Sequence, residues 1–165
     1  MSKIFGELLM LIEKDYRGQP IKLAYSGEDF SVPENLSIIG LMNTADRSLA
    51  MIDYALRRRF SFFDMEPGFD SQGFKDYQNN LGSEMFDELI KEIKVLNDEI
   101  SEDKTLGKGF CIGHSYFCGL QRDNCSVDTL SSIVDYDVLP MLREYWFDDD
   151  TKYNNWVSRF HELFD

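Results

Sequence analysis

Apolar residues recur at helical or strand-like spacing along the chain and predict its elements in order. From Ser2 to Lys14 they recur every three or four positions, which predicts an amphipathic helix with Ser2 as its N-cap. The apolar runs 21–25 and 30–32 flank a four-residue loop and predict a β-hairpin. The nearly continuous apolar run 36–42 predicts a strand that is buried on both faces of a parallel sheet.

The pattern changes at Pro67–Asp70. Before this point, helical spacing over 49–59 and an apolar run at 60–65 predict one more helix and one more strand. After it, strand patterns stop and only helices are predicted, over 72–80, 83–100, 127–136, 137–147 and 150–163. The sequence therefore predicts an α/β plus α fold, with one domain at 1–68 and a helical domain at 69–165.

The charge excludes one class of function for this chain alone. It has 17 Lys and Arg against 30 Asp and Glu, a net charge of −13, which suits it poorly to gripping nucleic acid through phosphates. Its three cysteines are an odd number and fit no disulfide framework. No apolar run approaches the roughly 20 residues of a membrane span. The first residues lack the layout of a signal peptide, so a cytoplasmic location is expected.

Polar side chains follow the predicted buried strand at once, at the edge where open α/β sheets bind ligands. Asn43 either positions a water against a phosphate oxygen, because an amide both donates and accepts, or satisfies backbone groups of its own loop. Asp46 either holds Arg47 or caps the helix that follows. Spacing alone leaves both alternatives open.

Three arginines, Arg57, Arg58 and Arg59, end the predicted helix. Consecutive helical residues point about 100° apart, so at most one or two of the three can converge on one ligand. They are either an arginine finger that reaches a nucleotide phosphate on a neighbouring subunit, or a helix cap with surface ion pairs.

Two glycine-containing segments of the helical part are candidates for phosphate binding. Gly107-Lys108-Gly109 fails as a phosphate loop, because Gly109 follows Lys108 where Ser or Thr is required and the upstream Gly is missing. His114 and Ser115 place a titratable ring beside a hydroxyl, which suits either a phosphate contact or a partly buried, packed histidine. The cysteines around His114 lack the paired spacing of zinc ligands, so no metal site is predicted.

These residues in this order resemble a known family. Asn43 after an apolar run, followed by Asp53-x-Ala55-Leu56-x-x-Arg59-Phe60, resembles the sensor 1 and arginine-finger region of AAA+ ATPases. The run Met42-Asn43-Thr44-Ala45-Asp46-Arg47-Ser48 resembles more closely the distinctive motif of the McrB family. Members of that family are the GTP-dependent AAA+ motor subunits of restriction systems for methylcytosine-containing DNA. The likeness continues at 4–8, 53–62, 66–70, 106–110, 113–117 and 144–149.

The resemblance implies a role for each candidate residue. Asn43 would be sensor 1 and would orient the attacking water. Asp46 and Arg47 would serve hydrolysis or the contact between subunits, and Arg58 or Arg59 would be the finger that acts on a neighbouring subunit.

The resemblance also implies a fold, cofactors and partners. The chain would be the C-terminal part of an AAA+ module, with a partial parallel sheet and a β-hairpin, followed by an α-helical lid domain. His114 and Ser115 would lie where the lid carries sensor 2. GTP, with ATP as the alternative, and Mg²⁺ would be cofactors of the full-length protein. Its partners would be identical subunits in a ring and a McrC-like nuclease subunit, while DNA would be contacted through an N-terminal domain absent from this chain.

The family's P-loop and its Walker B strand do not occur in the 165 residues. We therefore predict that the isolated chain neither hydrolyses GTP nor binds it tightly, since little is left to hold the β- and γ-phosphates. A non-catalytic AAA+-derived module that binds partner subunits is the alternative. The strand at 36–42 would also lack neighbours, which predicts rearrangement, self-association, or a helical half that carries most of the stability.

Overall fold

The computed structural model describes residues 2–43, 45 and 57–165, and the chain divides into two compact units, Met1–Asp64 and Met65–Asp165. The assignment of 1–68 and 69–165 to two functional domains stays a prediction. Among the described residues, no helix has the length and apolar character that crossing a membrane requires.

The first unit begins with the predicted helix and hairpin, both shorter than expected. Helix α1 covers Ser2–Leu11 and is interrupted at Gly6, whose φ of 17° and ψ of −105° are not helical. Strands β1, Ile21–Lys22, and β2, Asp29–Phe30, pair antiparallel with Ile21 opposite Phe30. The hairpin is therefore confirmed, but its strands have only two residues each and residues 23–28 connect them, so the loop is longer than the predicted four residues.

The predictions of a buried parallel strand at 36–42 and of a further strand at 60–65 are wrong. Neither range is a strand, and the sheet that the described residues form contains only β1 and β2. Ile39 and Leu41 are 88% and 91% exposed instead of buried. A parallel strand exists only when neighbours supply its hydrogen bonds, and the described residues of this unit offer none beside these runs. The predicted helix over 49–59 lies mostly outside the described residues.

The second unit is helical, as predicted. In residues 65–165, all of which the structure describes, the α-helices are α2 Gln72–Leu81, α3 Glu84–Glu102, α4 Val127–Ile133, α5 Leu139–Tyr145 and α6 Asp150–Phe164. One π-helical segment, Val134–Val138, joins α4 to α5 where two separate helices were expected. Pro140 is the second residue of α5 and follows this π-helical segment directly.

Local side chains start and end these helices. Ser71, Ser83 and Ser126 accept the backbone N–H three residues later at the starts of α2, α3 and α4. Asp149 does the same for α6, where its carboxylate also opposes the positive end of the helix. Gly82 ends α2 with a φ of 62°, a left-handed conformation that glycine adopts without strain.

One apolar core holds the second unit together. Helix α3 contributes six of the core's buried residues, packs against α2 and α6, and holds the loop 111–120 through the hydrogen bond between Asn97 and Ile112. The buried members of this core are Phe69, Phe74, Leu81, Phe86, Leu89, Ile90, Ile93, Leu96, Ile100, Ile112, Phe117, Leu120, Leu130, Val134, Val138, Leu139, Leu142, Trp146, Trp156 and Phe160.

Candidate functional site

Asn43 is exposed at the end of the irregular segment that replaces the predicted strand. Its Oδ1 accepts the backbone N–H of Ala45 at 3.1 Å, the geometry of an Asx turn. The side chain oxygen therefore satisfies its own loop, which is the structural alternative that spacing had left open. Asp46 and Arg47 lie outside the described residues.

Arg58 and Arg59 differ in their surroundings. Arg58 is exposed, whereas the side chain of Arg59 is only 19% exposed and forms an ion pair with Glu13. An arginine held against a carboxylate has part of its charge already neutralised. The structure thus separates two residues that the sequence could not tell apart.

Both arginines line an open cleft of the first unit. Arg17 also lines the cleft, and it donates from Nε to the carbonyl oxygen of Ile12 at 3.1 Å and from Nη1 to that of Leu36. The lining contains four cationic and three acidic side chains: Lys14, Arg17, Arg58 and Arg59 against Glu13, Asp15 and Glu34. The cleft is therefore mixed in charge.

His114 lies in the second unit, at the start of the 3₁₀ helix His114–Phe117. Its Nδ1 is 2.9 Å from the backbone nitrogen of Gly68 and accepts that N–H. The ring packs edge-on against Phe69 and Phe74, with centroid distances of 6.1 Å and 5.9 Å. This contact requires an unprotonated Nδ1, which in a neutral imidazole leaves the proton on Nε2. Ser115 beside it is exposed.

Two side chains on neighbouring helices hold the loop that carries His114. Asn97 of α3 donates from Nδ2 to the carbonyl oxygen of Ile112 at 2.9 Å, and its Oδ1 accepts the Ile112 N–H at 2.6 Å. The Tyr77 hydroxyl accepts the Leu120 N–H and lies 2.9 Å from the carbonyl oxygens of Phe117 and Leu120. Burial raises the pKa of Tyr77, which keeps the hydroxyl neutral and able to donate. The loop is therefore fixed at both ends.

Asp103 connects three parts of the second unit. Its side chain is 8% exposed and accepts from Lys152 Nζ at 2.8 Å and from Trp146 Nε1 at 3.2 Å. It also accepts the backbone N–H and the hydroxyl of Thr105. The Lys152 hydrogen bond, followed by those from Thr105, holds the pKa of Asp103 well below its usual range. The same contact raises the pKa of Lys152.

The cysteines are free thiols. The sulfur of Cys111 contacts the carbonyl oxygen of Asn97, and that of Cys118 contacts the carbonyl oxygen of His114. Burial raises the pKa of both thiols, which disfavours the reactive thiolate. Among the residues that the structure describes, no three His, Cys, Asp or Glu side chains are grouped as metal ligands would be.

The structure thus distributes the candidate residues over both units. Asn43, Arg58 and Arg59 are in the first, and His114 and Ser115 are in the second. Sequence reasoning missed the residues that hold His114. A polar residue on the apolar face of a helix was the available sign for Asn97, since it lies between Leu96 and Ile100 on the core side of α3.

Comparison with known proteins shows what the chain is similar to. The family profile described as "McrB, alpha-helical lid domain" matches residues 88–154. The chain is 52% identical over 169 aligned positions to the type IV methyl-directed restriction enzyme EcoKMcrB subunit of Escherichia coli K12. The alignment covers 96% of this chain and 37% of that subunit, in its C-terminal part. The chain therefore spans little more than a third of the length of this relative.

Proposed function

We propose that this chain is the C-terminal part of a GTP-hydrolysing AAA+ subunit of a methylation-directed restriction system, because it resembles a McrB subunit over nearly its whole length and matches the profile of the McrB lid domain. The observation that carries the proposal is the likeness over nearly the whole chain to the E. coli restriction subunit. We expect such a subunit to act in the cytoplasm.

The first unit supplies the hydrolysis residues in this proposal. Asn43 orients the attacking water, which requires its amide to leave the Ala45 N–H that it binds in the structure. Asp46 and Arg47 support hydrolysis or the subunit contact. Arg58 is the better arginine finger, because it is exposed whereas Arg59 is paired with Glu13.

The lid supplies a phosphate contact. His114 Nε2–H and the exposed Ser115 hydroxyl are donors that fit a phosphate oxygen. The same residues do not fit Mg²⁺, since the described part of the chain groups no carboxylates as ligands and the sequence has no P-loop. This chain therefore contributes to nucleotide binding, and GTP with Mg²⁺ is held mainly by residues outside it. We propose that the 165 residues alone do not hydrolyse GTP.

The partners follow from the same premise. The subunit forms a ring with identical subunits, as a finger acting on a neighbour requires, and works with a McrC-like nuclease subunit. DNA is contacted by another domain, which agrees with the net charge of −13 in this chain.

A chimaera tests the proposal. The aligned C-terminal part of the E. coli subunit is replaced by this chain, and restriction of a methylated plasmid is measured in cells together with GTP and ATP hydrolysis by the purified protein. We expect restriction and GTP hydrolysis to be retained, and the chain alone to be inactive. Asn43→Ala and Arg58→Ala should each lower turnover by about 100-fold or more with little change in protein level.

Three outcomes would contradict parts of the proposal. GTP turnover by the 165 residues alone, abolished by Asn43→Ala, would disprove the inactivity of the chain. Preference for ATP over GTP, in a competition assay on the full-length protein that contains this chain, would reassign the nucleotide. A chimaera that assembles with its partner subunits but hydrolyses neither nucleotide would favour a non-catalytic module for subunit binding. Arg57→Ala is the matched control, because Arg57 is exposed like Arg58 and is not assigned the finger role.

A further inference from the structure

Pro67, Gly68 and Phe69 lie near the start of the second unit. The backbone N–H and the carbonyl oxygen of Gly68 both form hydrogen bonds. Its N–H is donated to His114 Nδ1 at 2.9 Å. Its carbonyl oxygen accepts the Ser71 hydroxyl at 2.7 Å and the Ser71 N–H at 3.1 Å. Phe69 is 3% exposed and packs edge-on against Phe74 at 5.2 Å. The leading segment, defined here as 67–69, is thus attached by one ring in the core and by hydrogen bonds at Gly68.

The imidazole of His114 leaves no room for a side chain at residue 68. A Cβ built on Gly68 would lie 2.9 Å from His114 Cε1 and 3.1 Å from its Nε2. Gly68 is not among the glycines with positive φ, so its backbone conformation is open to other residues. Close approach of the ring, and not a torsion angle, therefore explains the glycine.

The ring cannot easily move away. Asn97 holds Ile112 and Tyr77 holds Leu120, on either side of His114 in the same loop. Phe69 and Phe74 contact the ring edge-on. Within the described residues, no hydrogen bond is formed by Nε2, so Nδ1 makes the hydrogen bond by which the ring holds Gly68.

We propose that His114 is a positioning residue that locks the leading segment 67–69 onto the helical unit, as a neutral imidazole with its proton on Nε2, and that residue 68 is glycine because this ring lies against it. The lock goes beyond the proposed function and does not depend on nucleotide binding. Because Nδ1 of His114 accepts the Gly68 N–H, only Nε2–H of the ring is available to donate to a phosphate.

The tautomer is the first test, on the whole 165-residue chain without nucleotide. The chain has only two histidines, and His161→Asn assigns their imidazole signals in ¹⁵N NMR spectra. At pH 8 we expect His114 to show an unprotonated Nδ1 and a protonated Nε2. A protonated Nδ1, or the averaged signals of a freely exchanging ring, would overturn the proposal.

Variants give the second test, through hydrogen exchange at the residue 68 amide. His114→Asn keeps an acceptor near the Nδ1 position and should preserve protection, whereas His114→Leu removes it and should speed exchange about fivefold or more. Gly68→Ala should shift the His114 signals, and Gly73→Ala is the matched control because its Cβ meets nothing within 4 Å. Equal exchange in His114→Leu and wild type would overturn the lock. If His114→Leu fails to fold, His114→Asn and the tautomer still decide.

Discussion

The two units of this chain differ in how many of their apolar residues are buried. The second unit buries a core of 20 residues, six of them from α3. Among its described residues, the first unit buries Leu9, Leu11 and Val32, while Ile39, Leu41 and Phe63 are each at least 88% exposed. Both units contain strongly apolar sequence, so composition does not explain the difference.

The difference lies in where each element finds its hydrogen bonds. A helix satisfies its backbone within itself and needs only one apolar face covered, which the other helices of the second unit provide. A buried strand needs hydrogen-bonded neighbours and two covered faces. Among the described residues of the first unit, only the hairpin supplies such pairing. An apolar run thus specifies a strand only when the partner strands are present.

Charge also separates the units. Residues 1–64 contain eight basic and nine acidic side chains, whereas residues 65–165 contain nine basic and 21 acidic ones. The acidity of the chain is therefore almost entirely a property of the helical unit. The candidate arginines lie in the nearly neutral unit, which is the part better suited to approach a phosphate.

The largest expected effect is a core truncation in the second unit. Phe86→Ala removes a fully buried ring that contacts Phe74 and Tyr77, and should lower the free energy of unfolding by about 3–5 kcal/mol. The same change at Phe63, which is 88% exposed in the first unit, should alter it by less than about 0.5 kcal/mol. Urea unfolding followed by circular dichroism measures both. Equal losses would show that the first unit shares the cooperative core.

A smaller loss is expected at Asp103. Asp103→Ala leaves Lys152 and Trp146 without their acceptor and should cost about 2 kcal/mol of unfolding free energy. Asp70→Asn breaks an ion pair with Lys94 in which the aspartate is 78% exposed, and its loss should be smaller. A larger loss at Asp70 would contradict the importance assigned to burial.

The same carboxylate sets a pH dependence. The folded-state pKa of Asp103 is lowered, chiefly by Lys152, so its stabilisation is present above the unfolded pKa of about 3.9 and is lost as pH falls below that value. Unfolding free energy measured from pH 6 to pH 3 should therefore fall more steeply in wild type than in Asp103→Asn. Parallel curves would rule out this contribution.

The smallest effect on stability is expected from the exposed apolar run of the first unit. Ile39→Lys combined with Leu41→Lys changes side chains that are 88% and 91% exposed, so the unfolding free energy of the helical unit should stay within about 0.5 kcal/mol of wild type. Self-association, measured by sedimentation velocity, should decrease because the apolar surface is smaller. A stability loss would mean that these residues are packed.

Sequence patterns predicted the helical unit well because its helix starts and ends depend on residues that are close in sequence. Ser83 starts α3 and Gly82 ends α2, as the cap residues indicated. Pro140 correctly marked the first turn of a helix, but the pattern did not reveal that a π-helical segment makes α4 and α5 continuous. In the first unit, the sequence patterns correctly predicted the hairpin but wrongly predicted strands at 36–42 and 60–65.

The candidate site was predicted as a set of residues and not as an arrangement. Asn43, Arg58, Arg59, His114 and Ser115 were selected by their positions in the sequence, and motif resemblance supplied their roles, which stay predictions. The roles of Asp46 and Arg47 also stay predictions, and both residues lie outside the described part of the chain. Nothing in the spacing indicated that Arg59 pairs with Glu13 or that His114 binds Gly68. Those contacts depend on how distant segments meet.

The sequence by itself determined the helices of the second unit, their caps and the hairpin, because these depend on hydrogen bonds between residues a few positions apart. Only the tertiary structure decided that the run 36–42 is not a strand, since strand formation needs partners that the run cannot encode. It also decided that His114 holds Gly68 across 46 positions and that Asn97 holds Ile112 across 15. Such side chain to backbone contacts form only after the helices have packed.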